Sequence, residues 1–478
     1  MLRKATGDGR QARGAWRGKS RRMRSRVEII GAIAALLLAA GGAAGIAWLG
    51  IQLIVNPQAV GWINRWFPNG MPTPVTGVRP AQTLQQVEAE IRQAGWVPGK
   101  AVLLGKNRNF LDSRFTASDL LLPVLEEQPN ASNRPKQIVE LRLYQQVRFP
   151  HHQAGQETRL QLVDQLAIAG PEESFAIAPL VEARSVHAGT SRSLPLTEMN
   201  RFAAKSLPSG TWLNLSGQWS QGGNTVIYGK VVHYNPSRFH LSVMLDWSTT
   251  NGKGPYWQQI TGGKTPELVL NQTIGMEPRF KIYQVQPRKF LLNPIRLEPI
   301  SLAEPAINHP TYSKALLLAR NGLWSISWQW LQSFKRRNRE MWSAAAQAQT
   351  DLIHWHARAT QIQAEKSWAS PNQQILAHLV DGRWLRALQV FKASPENSLE
   401  TADLLRADSG RLLNRLEAAL QVNPAQPEVK AWGALLMAAQ KERQAAIAWL
   451  KKQPKTTASD LAQIHSLIQR MDAALPPP

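Results

Sequence analysis

The chain has 478 residues, a formal charge of +23, no cysteine and a hydrophobic fraction of 43%. The hydrophobic fraction excludes a wholly disordered chain, and the length provides for two to four domains at roughly 100–200 residues each. The missing cysteine excludes disulfides, thiolate nucleophiles and Cys-ligated zinc, whereas the charge invites nucleic acid, anionic lipid or an acidic polymer until it is localised.

Ten of the basic residues fall in the first 28, opposed only by Asp8 and Glu28. An uncharged run, "IIGAIAALLLAAGGAAGIAWLGIQLIV", then extends from Ile29 to Val55. It exceeds the ~20 apolar residues a helix needs to cross a bilayer, and the basic flank places the N-terminus in the cytoplasm. A cleaved signal peptide fits less well: the apolar run is too long and no small-x-small site ends it. The expected layout is a basic tail over residues 1–28, a transmembrane helix over 29–55, and the bulk on the periplasmic, lumenal or extracellular side. Beyond residue 28 the chain keeps 46 basic and 31 acidic residues, a surplus of 15. The tail's charge is explained by orientation and headgroup attraction, so nucleic acid is not an expected partner; membrane lipid, through the anchor, is.

Residues 56–96 read as a juxtamembrane linker rich in Pro, Gly and Asn, with a short helix in "TLQQVEAEIRQAGW" from Thr83 to Trp96. A β-rich domain is expected over residues 97–304. Period-two alternation appears in "IVELRLYQQVRF", in "TRLQLVDQLAIAG", and in two runs joined around Gly222-Gly223-Asn224. In "RFHLSVMLDW" it aligns Phe239, Leu241, Val243, Leu245 and Trp247; "RFKIYQVQP" and "NPIRLEPI" add further strands. Such patterns predict a mainly antiparallel sheet with one wet face; a sandwich, an open barrel or a sheet with a packed helix all satisfy it.

Chemistry is not signalled in this region. His151 and His152 are adjacent and diverge on a strand, and His233 and His240 flank a turn without a carboxylate at a telling spacing. "TGGKT" from Thr261 to Thr265 lacks the first glycine of a phosphate loop and reads as a turn. Asp246 and Glu267 have no evident partner. The expectation is therefore no catalytic residue, no metal and no cofactor. Trp212, Trp219, Trp247 and Trp257 are candidates for an exposed aromatic surface, which with the basic surplus makes an anionic glycan a possible partner.

Helical spacing takes over from about His309. Leu317, Trp324, Trp328 and Leu331 fall on one stripe of a helix running through "NGLWSISWQWLQSFKRRNRE", and Lys335, Arg336, Arg337 and Arg339 mark its solvated end, where cations meet the negative pole of the helix dipole. A long helix from Arg339 to Trp368 is expected to return antiparallel, giving a helical hairpin over residues 305–369. On it His354 and His356 diverge and do not form a ligand pair.

Residues 370–478 read as helix pairs. "DGRWLRALQVFKASPEN" holds Gly382, Ala387 and Phe391, and the following segment holds Gly433, Ala445 and Trp449 at small-small-aromatic spacing. Over residues 370 to 455 this resembles tetratricopeptide repeats (TPR-like), in which small residues let two helices cross closely. Ala387 and Ala445 lie 58 residues apart, which departs from multiples of the ~34-residue period. The resemblance implies a concave face presented to a protein partner, with Trp384, Phe391, Trp432 and Trp449, and the basic Lys335, Arg336, Arg337 and Arg339, as candidate contacts.

The fold class expected is thus α+β and multidomain: one transmembrane helix, an antiparallel β-rich domain, and an all-α C-terminal bundle or TPR-like solenoid. The function expected is that of a non-enzymatic, single-pass membrane scaffold whose domains bind partner proteins, with cell-wall or glycan binding as the alternative and an enzyme with a non-local site ranked last.

Overall fold

A computed structural model of the chain describes residues 80–104, 115–127, 136–147, 158–182, 186–203, 206–208 and 210–474. The basic tail, the expected transmembrane helix, the linker up to residue 79 and the loop with His151 and His152 lie outside the described residues. Among the described residues no helix is long and apolar enough to cross a membrane.

The chain is α+β, with antiparallel sheets followed by a helical C-terminal region. The first sheet has the order β1-β6-β5-β4-β2, from Gln82–Thr83 (β1), Val97–Pro98 (β2), Phe115–Glu126 (β4), Gln137–Val147 (β5) and Arg159–Ala167 (β6), with Val102–Leu103 (β3) also on β4. The second has the order β10-β9-β8-β7, from Glu198–Arg201 (β7), Thr211–Gln221 (β8), Asn224–Asn235 (β9) and His240–Thr249 (β10). The third runs β11-β12-β13-β14, from Tyr256–Gln258, Glu267–Asn271, Phe280–Pro287 and Ile295–Pro299.

These sheets stack, and the expected wet face is replaced by cores on both sides. On the first sheet, Leu120, Leu122 and Val124 pack with Val87 and Ile91 of helix α1 (Leu84–Gln93). Leu121, Leu141 and Leu143 face the other way, onto Leu213, Leu215 and Val232 of the second sheet and Ile177 and Leu180 of helix α2 (Glu173–Glu182). The second sheet turns Trp212, Val231 and Trp247 to Leu268 and Leu270 of the third. The third sheet sends Val269 and Ile282 to Leu352 of the helical region. Strands covered on both faces need apolar residues at consecutive positions, which "LLLPVL" in β4 and "ELVLN" in β12 supply.

Local sequence explains the joints. Thr83 and Gln86 form a reciprocal capping box at the start of α1. Gly222 and Gly223 both have positive φ, as a two-residue hairpin turn between β8 and β9 requires. The alternation read through β10 does not stay on one face. A register shift between Val243 and Leu245 leaves Leu241 in the core between the first two sheets and directs Leu245 and Trp247 into the next one. An extra residue in a strand inverts every side chain after it.

The helical region holds α3 (Pro310–Arg320), α4 (Trp324–Arg337), α5 (Ala344–Glu365), α6 (Pro371–Asp381), α7 (Trp384–Ala393), α8 (Pro395–Arg406), α9 (Arg411–Val422), α10 (Pro427–Gln440), α11 (Arg443–Lys452) and α12 (Ala458–Ala474). The single helix expected through the tryptophan-rich stretch is two, because Gly322 turns the chain with φ 81° between α3 and α4. The stripe joining Leu317 to Trp324 is broken accordingly. The long helix expected from Arg339 starts at Ala344, after a 3-10 turn at Arg339–Met341, with Ser343 capping the Ala346 N–H.

Candidate partner-binding groove

The aromatic candidates occupy the interior of the helical layer. Trp384, Phe391 and Trp432 are buried in one core; the Trp432 indole N–H donates to the Trp384 carbonyl at 3.0 Å and the Phe391 ring meets Trp432 edge-on at 6.0 Å. Trp449 of α11 lies across Gly433 of α10, where an added Cβ would come within 2.1 Å of the indole. These rings are therefore engaged in internal packing and present no open aromatic face. The same holds in the sheets: Trp212, Trp219 and Trp247 are buried and Trp257 packs edge-on against Trp212, so the exposed aromatic surface that motivated glycan binding is not formed.

Two of the three tryptophans of α4 are stacked on histidines of α5. Trp324 stacks on His356 at 4.0 Å and Trp328 on His354 at 4.6 Å. His356 donates from Nδ1 to the Leu352 carbonyl, and its Nε2 accepts the Phe280 N–H at 2.9 Å, which pins β13 to α5. Burial holds its pKa down to about 4, so the ring is neutral at pH 7. The basic turn divides. Lys335 is held by Gln347 and lies over the Trp342 ring, whereas Arg336, Arg337 and Arg339 are exposed and joined to no carboxylate by a salt bridge among the described residues.

One opening on the helical layer is a groove of about 460 Å³ at the turn between α6 and α7. Gly382 closes α6 in the left-handed conformation and the chain re-enters a helix at Trp384. The groove is lined by the buried Trp384, by Ile326 of α4 and by Gln426 and Glu428 at the start of α10. Leu385 stands at the rim, 56% exposed, with Arg386 beside it. The turn is rigid: Arg383 donates to Asp381 at 2.7 Å and to Glu365 at 3.0 Å, and the buried Asp381 accepts from Thr360 and Ser325. The arrangement suits insertion of an apolar side chain, with a cation at the edge for a carboxylate. Leu385 and Arg386 were not among the sequence candidates; the signal was a leucine and an arginine on the outer face of an amphipathic helix, which also describes ordinary surface positions.

Among the described residues no group of three or more His, Asp or Glu is placed to hold a metal. The carboxylates considered earlier have structural partners: Asp246 pairs with Lys230 at 2.6 Å, and Glu267 accepts from the Thr261 hydroxyl and the Ile260 N–H, closing the "TGGKT" segment as a turn ahead of an antiparallel strand. Comparison with family models, with curated proteins and with solved structures found no match.

Proposed function

We propose that this chain is a non-enzymatic, membrane-anchored interaction protein whose extracytoplasmic helical layer captures a segment of a partner protein. The observation that carries the reading is the groove at the α6–α7 turn, where the exposed Leu385 and Arg386 stand over the buried Trp384. Its mixed apolar and cationic rim favours an amphipathic segment with an acidic residue next to a large apolar one. The close crossing of α10 and α11 at Gly433 and the glycine turn at Gly382 support a TPR-like arrangement of helix pairs, a scaffold that presents its side chains rigidly. Anchoring rests on the apolar run Ile29–Val55 and its basic flank.

The test is site-specific photo-crosslinking in cells, with the crosslinker at Leu385 and, as a control, at Ile362, which is 62% exposed on α5. A discrete adduct at position 385 that is absent at 362, and is lost in Arg386→Glu, supports the reading. Identical adducts at both positions, or none at 385, would sink it.

A further inference from the structure

A second cleft, of about 260 Å³, opens between the sheets and the helices, and four arginines line it. Arg279 comes from the residue just before β13, Arg320 from the C-terminal end of α3, and Arg411 and Arg415 from the first turns of α9. Arg415 is buried and forms the floor; its two terminal nitrogens donate to the two Glu277 oxygens at 3.1 and 2.7 Å. The α3–α4 turn closes over it at Gly322, where a Cβ would lie 2.4 Å from the guanidinium.

The cations here exceed the carboxylates available to them. Glu277 is taken by Arg415, and Glu182 by Arg279. Among the described residues Arg411 reaches only the Glu182 main-chain carbonyl, at 2.8 Å, and Arg320 only the carbonyls of Leu316 and Ala303. Both guanidiniums are exposed at the cleft, each bonded to a neutral acceptor, with the exposed Asn414 amide beside Arg411. The Lys281 ammonium nearby is held below its ordinary range chiefly by burial, with Arg279 adding to the shift and Glu182 opposing it. Planar guanidinium forks match the geometry of an oxyanion better than lysine does, and a charge-assisted pair is stronger than a bond to a carbonyl.

We infer that this cleft binds an oxyanion, phosphate or carboxylate, between Arg320 and Arg411, thereby joining α3 to α9 over the Arg415–Glu277 floor. The size of the cavity restricts the occupant to a small anion or to a single anionic group of a larger molecule. The site is separate from the α6–α7 groove and does not depend on it.

The experiment is equilibrium dialysis of the full chain in non-ionic detergent against radiolabelled inorganic phosphate at physiological ionic strength, with phosphoserine and succinate as competitors. One saturable site per chain is expected. Its Kd should rise about tenfold or more in Arg320→Gln and in Arg411→Gln, the loss of one charged hydrogen-bonding pair being worth roughly that factor. Arg411→Lys should fall between wild type and the glutamine variant, and Arg336→Gln, on the basic turn of α4, should leave Kd unchanged. Competition by phosphoserine but not by succinate marks a phosphate monoester as the natural group, competition by succinate, with or without phosphoserine, marks a carboxylate, and competition by neither marks free phosphate. Absence of saturable binding overturns the inference, as does an equal loss of affinity in Arg336→Gln; near-UV circular dichroism separates either result from misfolding.

Discussion

His356 shows how much a single ring can hold in place. It is stacked on Trp324, donates to its own helix and accepts the Phe280 N–H, so three elements meet at one neutral imidazole. The pKa of about 4 has a definite sign for stability. Between pH 6.5 and 4 the unfolded chain binds a proton that the folded chain refuses, so the contribution is intact above about 6.5 and falls away as pH drops toward 4. The span corresponds to about 3 kcal/mol at the rate of 1.36 kcal/mol per pH unit. His354 and His378 are shifted the same way, chiefly by burial, and add to the same acid limb. In urea denaturation, the wild-type midpoint should fall as pH is lowered from about 7 to about 4.5. His356→Phe should be less stable at pH 7 by about 1–3 kcal/mol, the cost of leaving a buried N–H unsatisfied, and its midpoint should fall less steeply with acid. An unchanged pH slope in the variant would remove His356 from this role.

At the scale of elements, two glycines decide where helices turn and cross. Gly322 needs a left-handed φ and leaves no room for a Cβ beside Arg415. Gly322→Ala should destabilise the chain by about 1–2 kcal/mol through strain alone, with displacement of the Arg415 side chain adding to it; thermal denaturation checks the loss. Gly433→Leu should cost about 1–3 kcal/mol, since the added side chain must enter the space of the Trp449 indole, and should move the tryptophan emission to longer wavelength as that ring is expelled. A variant as stable as wild type, with unchanged emission, would mean that α10 and α11 do not cross closely at that glycine.

The same elements explain what the sequence made legible. The β8–β9 hairpin was readable because two alternating runs meet at Gly222-Gly223, a turn that glycine serves without strain. α1 was readable from its apolar spacing. β4 was not, because a strand covered on both faces loses its period of two and "LLLPVL" resembles any buried segment. Period counting also missed the bulge in β10 and the break at Gly322, since each changes the phase of a pattern without changing its composition. Trp384, Phe391, Trp432 and Trp449 stood out as large rings, but the size that makes a ring useful at an interface also fills a core. The arginine cleft was invisible because its members come from positions 279, 320, 411 and 415, which share no local spacing.

For the whole molecule, the described residues from Ala81 onward form one compact unit in which the sheets and helices share continuous cores. Arg415–Glu277 is the ion pair that ties α9 to the segment between β12 and β13, with Arg415 buried and Glu277 partly exposed. Its coupling in an Arg415→Gln, Glu277→Gln double-mutant cycle should be on the order of 1–2 kcal/mol, between an exposed pair and a buried one. Additive effects in that cycle would show that this ion pair does not help to hold α9 to the sheets.

The stacking order also follows the order of synthesis: first sheet, second sheet, third sheet, helices. Each sheet therefore emerges with one face already matched by the layer before it and the other waiting for the layer still to come. A chain halted after β10 displays Trp212, Val231 and Trp247 to water, and one halted after β14 displays Val269 and Ile282. The molecule is most adhesive when it is half made, and the helical layer is the lid whose arrival ends that exposure.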